Sequence, residues 1–82
     1  MSASITIYST PTCGFCHMAK EYFKGKKVDY QDVDITQDQA GQEWVYDHTG
    51  QLAVPVISIG SDVIIGFDRP RIDLALRENK LI

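Results

Sequence analysis

Cys13 and Cys16 are the only cysteines in a chain of 82 residues, and they stand where a strand-like run gives way to a helix-like one. Ahead of them Ile5-Thr6-Ile7-Tyr8 alternates with period two and is rich in β-branched residues. That suits a strand delivering the chain into the loop Ser9-Thr10-Pro11-Thr12. Behind them Phe15, Met18, Ala19, Tyr22 and Phe23 recur at helical spacing, and Gly25 is placed to end the helix in a left-handed cap. Residues three apart on the first turn of a helix approach closely enough for their sulfurs to bond with little backbone movement. A helix beginning near Cys13 also aims unpaired backbone N–H groups and the positive end of its dipole at that sulfur, which stabilises a thiolate. Cys13 is therefore the expected nucleophile. Cys16, one turn further in and shielded, is the expected resolving thiol that attacks a mixed disulfide at Cys13.

The rest of the chain reads as alternating elements. Residues 28–35 form a second strand, parallel to the first because a strand–helix–strand connection is right-handed. Thr36 and Gln39 form a capping box that opens a second helix carrying Ala40, Trp44 and Val45, with Trp44 on its apolar face, and Gly50 closes it. Residues 54–59 and 62–65 make a hairpin around Gly60-Ser61. Asp68 caps a last helix, Pro70 sits in its first turn, and Ile72, Leu74, Ala75 and Leu76 supply its apolar area. With no repeat, linker or low-complexity tract, the expectation is one domain over residues 1–82. Its fold class is α/β: a four-stranded mixed sheet flanked by three helices.

Composition narrows the function classes. An apolar fraction of 44% with three Phe, four Tyr and Trp44 supplies a core without a disulfide staple. A net charge of −3, from 11 acidic against 8 basic residues, gives no footing for nucleic acid or an anionic membrane surface. No stretch reaches the length of a membrane span, and Met1-Ser2-Ala3-Ser4-Ile5 lacks the basic and apolar blocks of a signal peptide, so the expected location is cytoplasmic. In a reducing cytosol a lone cysteine pair is more often catalytic or metal-binding than structural. Lys20, Lys24, Lys26 and Lys27, followed by Asp29, Asp32, Asp34 and Asp38, read as a solvated face.

The element order, the cysteine pair after the first strand and Val54-Pro55 opening the third together resemble the glutaredoxin and thioredoxin superfamily, over nearly the whole chain. The stretch from Ile7 through Thr10-Pro11-Thr12-Cys13-Gly14-Phe15-Cys16-His17 to Lys20 is similar to the active-site segment of small glutaredoxins, with Phe15 where Tyr is usual. The resemblance implies a thioredoxin-like fold, and a cis bond before Pro55 that lets the Val54 backbone pair with an extended substrate. It implies a substrate surface made of Thr12, Phe15, Val54, Pro55, Gly66 and Asp68. Ile65-Gly66-Phe67-Asp68-Arg69-Pro70 departs from the Gly-Gly pair usual in glutathione-using members, with Phe67 filling the space a glycine would leave, and Thr10 replaces a basic residue often found there. Gly66-Phe67 followed by Arg69-Pro70 is similar instead to the redoxins that serve ribonucleotide reductase and draw electrons from thioredoxin reductase.

Other chemistry uses the same residues. Cys13-Gly14-Phe15-Cys16-His17 fits the haem-attachment pattern with His17 as an axial ligand and Met18 nearby, although that pattern belongs to exported chains. Zinc would need His17 and His48, whose spacing does not suit a closed site, and an iron–sulfur cluster would need two chains. His17 is expected to point to solvent, and Lys20 could act on the cysteines electrostatically from the next turn. Phe15, hard to bury between the cysteines, reads as a substrate contact. The expected protein is a monomeric dithiol–disulfide oxidoreductase acting on protein disulfides through Cys13 and Cys16, without metal or bound cofactor, re-reduced by thioredoxin reductase or by glutathione. The alternative is a redox-sensing, cluster-binding or haem-binding module that uses the pair without turnover.

Overall fold

The computed structural model describes residues 4–81. Its elements run β1 (Ile5–Ser9), α1 (Gly14–Gly25), β2 (Gln31–Asp34), α2 (Gln39–Thr49), β3 (Val56–Ile59), β4 (Asp62–Ile65) and α3 (Arg69–Glu78). The sheet has four strands in the order β2-β1-β3-β4. β1 and β2 are parallel and the other two pairings antiparallel, which is the expected mixed thioredoxin-like sheet.

Period-two alternation distributes the strand side chains between two apolar layers. Ile5, Ile7, Ile57, Ile59 and Ile64 turn to one face, where they meet Ala19 and Phe23 of α1 and Ile72, Ala75 and Leu76 of α3. Tyr8 and Val56 turn to the other, where Ile35, just past β2, and Val45 of α2 cover them. α1 and α3 therefore share one side of the sheet and α2 takes the opposite side. Trp44 is half-buried rather than fully in the core, stacked between Tyr8 at 4.5 Å and His48 at 3.9 Å between ring centroids.

Several local expectations shift. Asp38, not Thr36, caps α2: its carboxylate accepts the Gly41 N–H at 3.0 Å. Thr36 is engaged earlier, its hydroxyl donating to Asp34 at 2.6 Å within a turn that precedes the helix. The left-handed residue after α1 is Lys27 at φ 57°, not Gly25, which remains helical. There the Val28 N–H reaches back to the Phe23 carbonyl at 3.1 Å and closes the helix end. Val28 is thereby drawn out of the strand, and β2 begins only at Gln31. β3 likewise begins at Val56 rather than Val54, because Pro55 has no N–H for the ladder; the Val54–Pro55 bond is cis. Met18 and Leu74, expected to contribute apolar area, are half-exposed. Gly50 does end α2 in the left-handed region at φ 78°, and Asp68 does cap α3, accepting the Arg71 N–H at 3.4 Å.

Candidate functional site

Strand register gathers the reactive segments at one end of the sheet. Ser9 at the end of β1 is level with Asp34, and Tyr8 pairs with Val56, which in turn pairs with Ile65. The loop to Cys13, the cis bond before Pro55 and the exit from β4 into Gly66 thus all leave the sheet at the same edge. A hydrogen bond from the Gly66 N–H to the Pro55 carbonyl, 2.8 Å, joins the second and third of these. Gly66 holds φ 84°, a region that side chains make costly.

Cys13 is the N-cap of α1. Its backbone is extended at φ −86° and ψ 111°, its sulfur accepts the Cys16 N–H at 3.1 Å, and its carbonyl accepts the His17 N–H at 3.3 Å. A sulfur occupies the position where Ser or Asp ordinarily meets the orphan amides of a helix start. Cys16 lies one turn along, with a Cα–Cα separation of 5.2 Å and its sulfur 2.50 Å from that of Cys13. The Cα spacing is in the range that a disulfide bridges without backbone movement. The two cysteines differ in environment: Cys13 is partly exposed, whereas Cys16 is 1% exposed. In the reduced form, burial pushes the Cys16 thiol up to about 12. Its hydrogen bond with Cys13 adds to the rise, while the Thr10 backbone amide and the Lys20 ammonium pull the other way.

The remaining predicted residues divide. Thr12 and Phe15 are exposed beside Cys13, Phe15 at 62%. Pro55 is buried, and Val54 packs partly against the α2-side cluster. The Asp68 carboxylate is engaged in capping α3. Phe67 turns its ring edge-on to Tyr22, 5.7 Å between centroids, and packs against the α1–α3 layer instead of standing free in the space beside Gly66. His17 points to solvent, its side chain 75% exposed and 3.8 Å from Glu21. Among the described residues no group of three or more His, Cys, Asp or Glu is placed to hold a metal ion.

The lysine and aspartate run is not simply a solvated face. Lys20 Nζ lies 2.7 Å from Asp32, with the lysine side chain only 23% exposed. The other oxygen of Asp32 accepts the hydroxyl of Ser9, itself 2% exposed, at 2.8 Å. The signal for this pairing was the alternation of β1: Ser9 falls in phase with Ile5 and Ile7, so a polar residue faces the α1 side of the sheet.

Comparison with known proteins agrees with this geometry. Residues 5–64 match the family described as Glutaredoxin. A glutaredoxin-like 8.6 kDa protein encoded in a rubredoxin operon of Clostridium pasteurianum is 44% identical over 69 residues, covering 84% of this chain and 92% of that one. Glutaredoxin 3 of Escherichia coli K12 is 35% identical over 66 residues, covering 80% of each chain. Among solved structures, a buckwheat glutaredoxin–glutathione complex superimposes with a TM-score of 0.74 at 28% identity, over 93% of this chain and 74% of that one.

Proposed function

Because the chain belongs to the glutaredoxin family, we propose that it reduces protein disulfides with the Cys13–Cys16 dithiol. The observation that carries this reading is the asymmetry of the pair: a partly exposed cysteine at a helix N-cap and a buried one a turn behind it, with Cα atoms 5.2 Å apart. The Cys13 thiolate attacks one sulfur of a substrate disulfide. That S–S bond breaks, a Cys13–substrate disulfide forms, and the first substrate sulfur leaves with the electron pair. Cys16 then gives up its proton and attacks the Cys13 sulfur, forming the Cys13–Cys16 disulfide and releasing the second substrate thiolate. In balance, two electrons pass to the substrate and the Cys16 proton ends on one of its thiols. No resident metal or organic cofactor is required, since sulfur exchange supplies the whole redox step.

Exposed Thr12 and Phe15 meet the partner next to the nucleophile, and the backbone at Val54 and Pro55, tied to Gly66, offers an edge for an extended substrate segment. The oxidised protein returns to the dithiol through glutathione or thioredoxin reductase. The glutathione complex of the buckwheat relative supports the first. The Gly66-Phe67-Asp68 sequence, which departs from the Gly-Gly pair usual in glutathione-using members, and the engagement of Asp68 in capping α3 support the second. A reducing compartment such as the cytosol is the setting in which such a pair cycles.

The test supplies NADPH with either glutathione and its reductase or thioredoxin reductase, and follows reduction of a protein disulfide. Sustained NADPH consumption through one couple, abolished by Cys13→Ser, is the expected result. A single oxidation without turnover under both couples would overturn the reading in favour of a sensor.

A further inference from the structure

The sulfur that must act second is the one least suited to ionise, since Cys16 is buried and its thiol is pushed far above the ordinary range. What stands next to it is therefore informative. Lys20 follows Cys16 by four residues, on the same face of α1 one turn on. That face rests on the Ile5–Ile7–Ser9 side of the sheet, and β2 presents Asp32 on the same side, directly opposite Ile7. The lysine is fixed there at 2.7 Å from Asp32, which is itself fixed by the buried Ser9 hydroxyl at 2.8 Å. The Asp32 side chain is 42% exposed and the Lys20 side chain 23%, so the pair lies at the rim of the α1–β2 contact, and the wholly buried Ser9 hydroxyl anchors it there.

We propose that the Ser9–Asp32–Lys20 chain holds a fixed positive charge one helical turn from Cys16, making Lys20 a positioning residue for the resolving half of the exchange. This rests on the dithiol reading above. Lys20 contacts Asp32, and its charge also interacts with Tyr30 and Asp34, from the segment before β2 and from β2, and with Cys16 on its own helix. Those that act on Cys16 are, in falling order, Cys13, the Thr10 amide and Lys20. The hydrogen bond to Asp32 raises the Lys20 pKa, so the ammonium persists wherever the enzyme works and does not itself take the Cys16 proton. That proton goes to the substrate thiolate released in the first step. The ammonium lowers the cost of the negative charge left on Cys16 as its sulfur closes on Cys13. Cys13 attack, which precedes this and draws on the helix N-terminal amides, is insensitive to Lys20.

The experiment mixes the reduced protein with the symmetrical disulfide of a cysteine-containing peptide, quenches with acid at intervals, and quantifies the mixed disulfide and the final disulfide by mass spectrometry across pH. Lys20→Met is expected to slow decay of the mixed disulfide by roughly three- to tenfold at neutral pH. Each unit by which the Cys16 pKa rises cuts its thiolate tenfold, while nucleophilicity recovers about threefold. The rise of this rate with pH should shift to higher pH in parallel, formation of the mixed disulfide should stay within about twofold, and Lys20→Arg should restore the parent profile. Lys20→Gln, which still hydrogen-bonds to Asp32, serves if Lys20→Met does not fold, with the same slowing expected. Resolution within twofold of the parent, equal slowing of both steps, or failure of arginine to restore the rate would each overturn the assignment. A parent that never forms the mixed disulfide would sink the dithiol reading itself. A parent that turns over while the Lys20 variants resolve as fast sinks only the role of Lys20.

Discussion

Alkylation of the reduced protein with iodoacetamide at pH 8 should report the burial of Cys16 directly. Folding pushes that thiol up to about 12, whereas the same residue in the unfolded chain has a value near 8.5. At pH 8 the thiolate fraction at Cys16 therefore falls from about one quarter to about 10⁻⁴ on folding, a factor of about 2,000. The rarer thiolate is intrinsically more nucleophilic, by about 40-fold over a shift of that size with a Brønsted slope of 0.4–0.5, which leaves a net slowing of about 50-fold. Steric shielding of a residue 1% exposed adds to this. The assay labels native and urea-unfolded protein in parallel and counts carbamidomethyl groups at each cysteine by peptide mass spectrometry. Cys13 should carry nearly all the native label, while both residues label readily in urea. Native Cys16 reacting within about fivefold of its unfolded rate would refute the reasoning, because no arrangement with that sulfur buried under α1 permits it.

The same raised thiol makes the stability of the reduced protein depend on pH. The folded value lies above the unfolded one, so the contribution is fully present below about pH 8.5 and is lost as pH rises toward about 12. Urea midpoints of the reduced form should decline over that window relative to the oxidised form, which has no thiol to ionise; parallel curves would contradict it. Phe23, fully buried between α1 and the sheet, should cost about 3–5 kcal/mol when truncated to Ala, measured by chemical denaturation. Gly41 packs so close to the sheet that an added Cβ would lie 2.8 Å from Cγ1 of Val33. Gly41→Ala should therefore lower stability by about 1 kcal/mol, the overpacking outweighing the gain in helix propensity of similar size, and a raised melting temperature would contradict this.

The sheet, the helix order and the placement of the cysteines were legible because each rests on local periodicity. Ile5, Ile7 and Tyr8 in β1, and Phe23 and Ala19 in α1, announce their faces by spacing alone. What was not legible depends on contacts distant in sequence. Asp32 reads as one acid in a charged run until the parallel register sets it opposite Ile7 and beneath Lys20. Gly41 looks like a weak helix residue until α2 is laid against Val33. The cap at Asp38 and the left-handed Lys27 were missed for a related reason, since several hydrogen-bonding residues compete within each turn and only the three-dimensional path selects among them. Exposure of Phe15 was foreseen from its place between the cysteines, whereas the inward turn of Phe67 onto Tyr22 needed the docking of α3 against α1.

The most direct test of the account is trapping. Cys16→Ser protein incubated with an oxidised protein substrate should accumulate a mixed disulfide whose only bridged residue in this chain is Cys13, and a reductant should release it. Cys13→Ser should form no such adduct at neutral pH. An adduct at Cys16 in the Cys13→Ser protein, forming as fast as the Cys13 adduct does, would contradict the division of labour between an accessible leading sulfur and a buried trailing one.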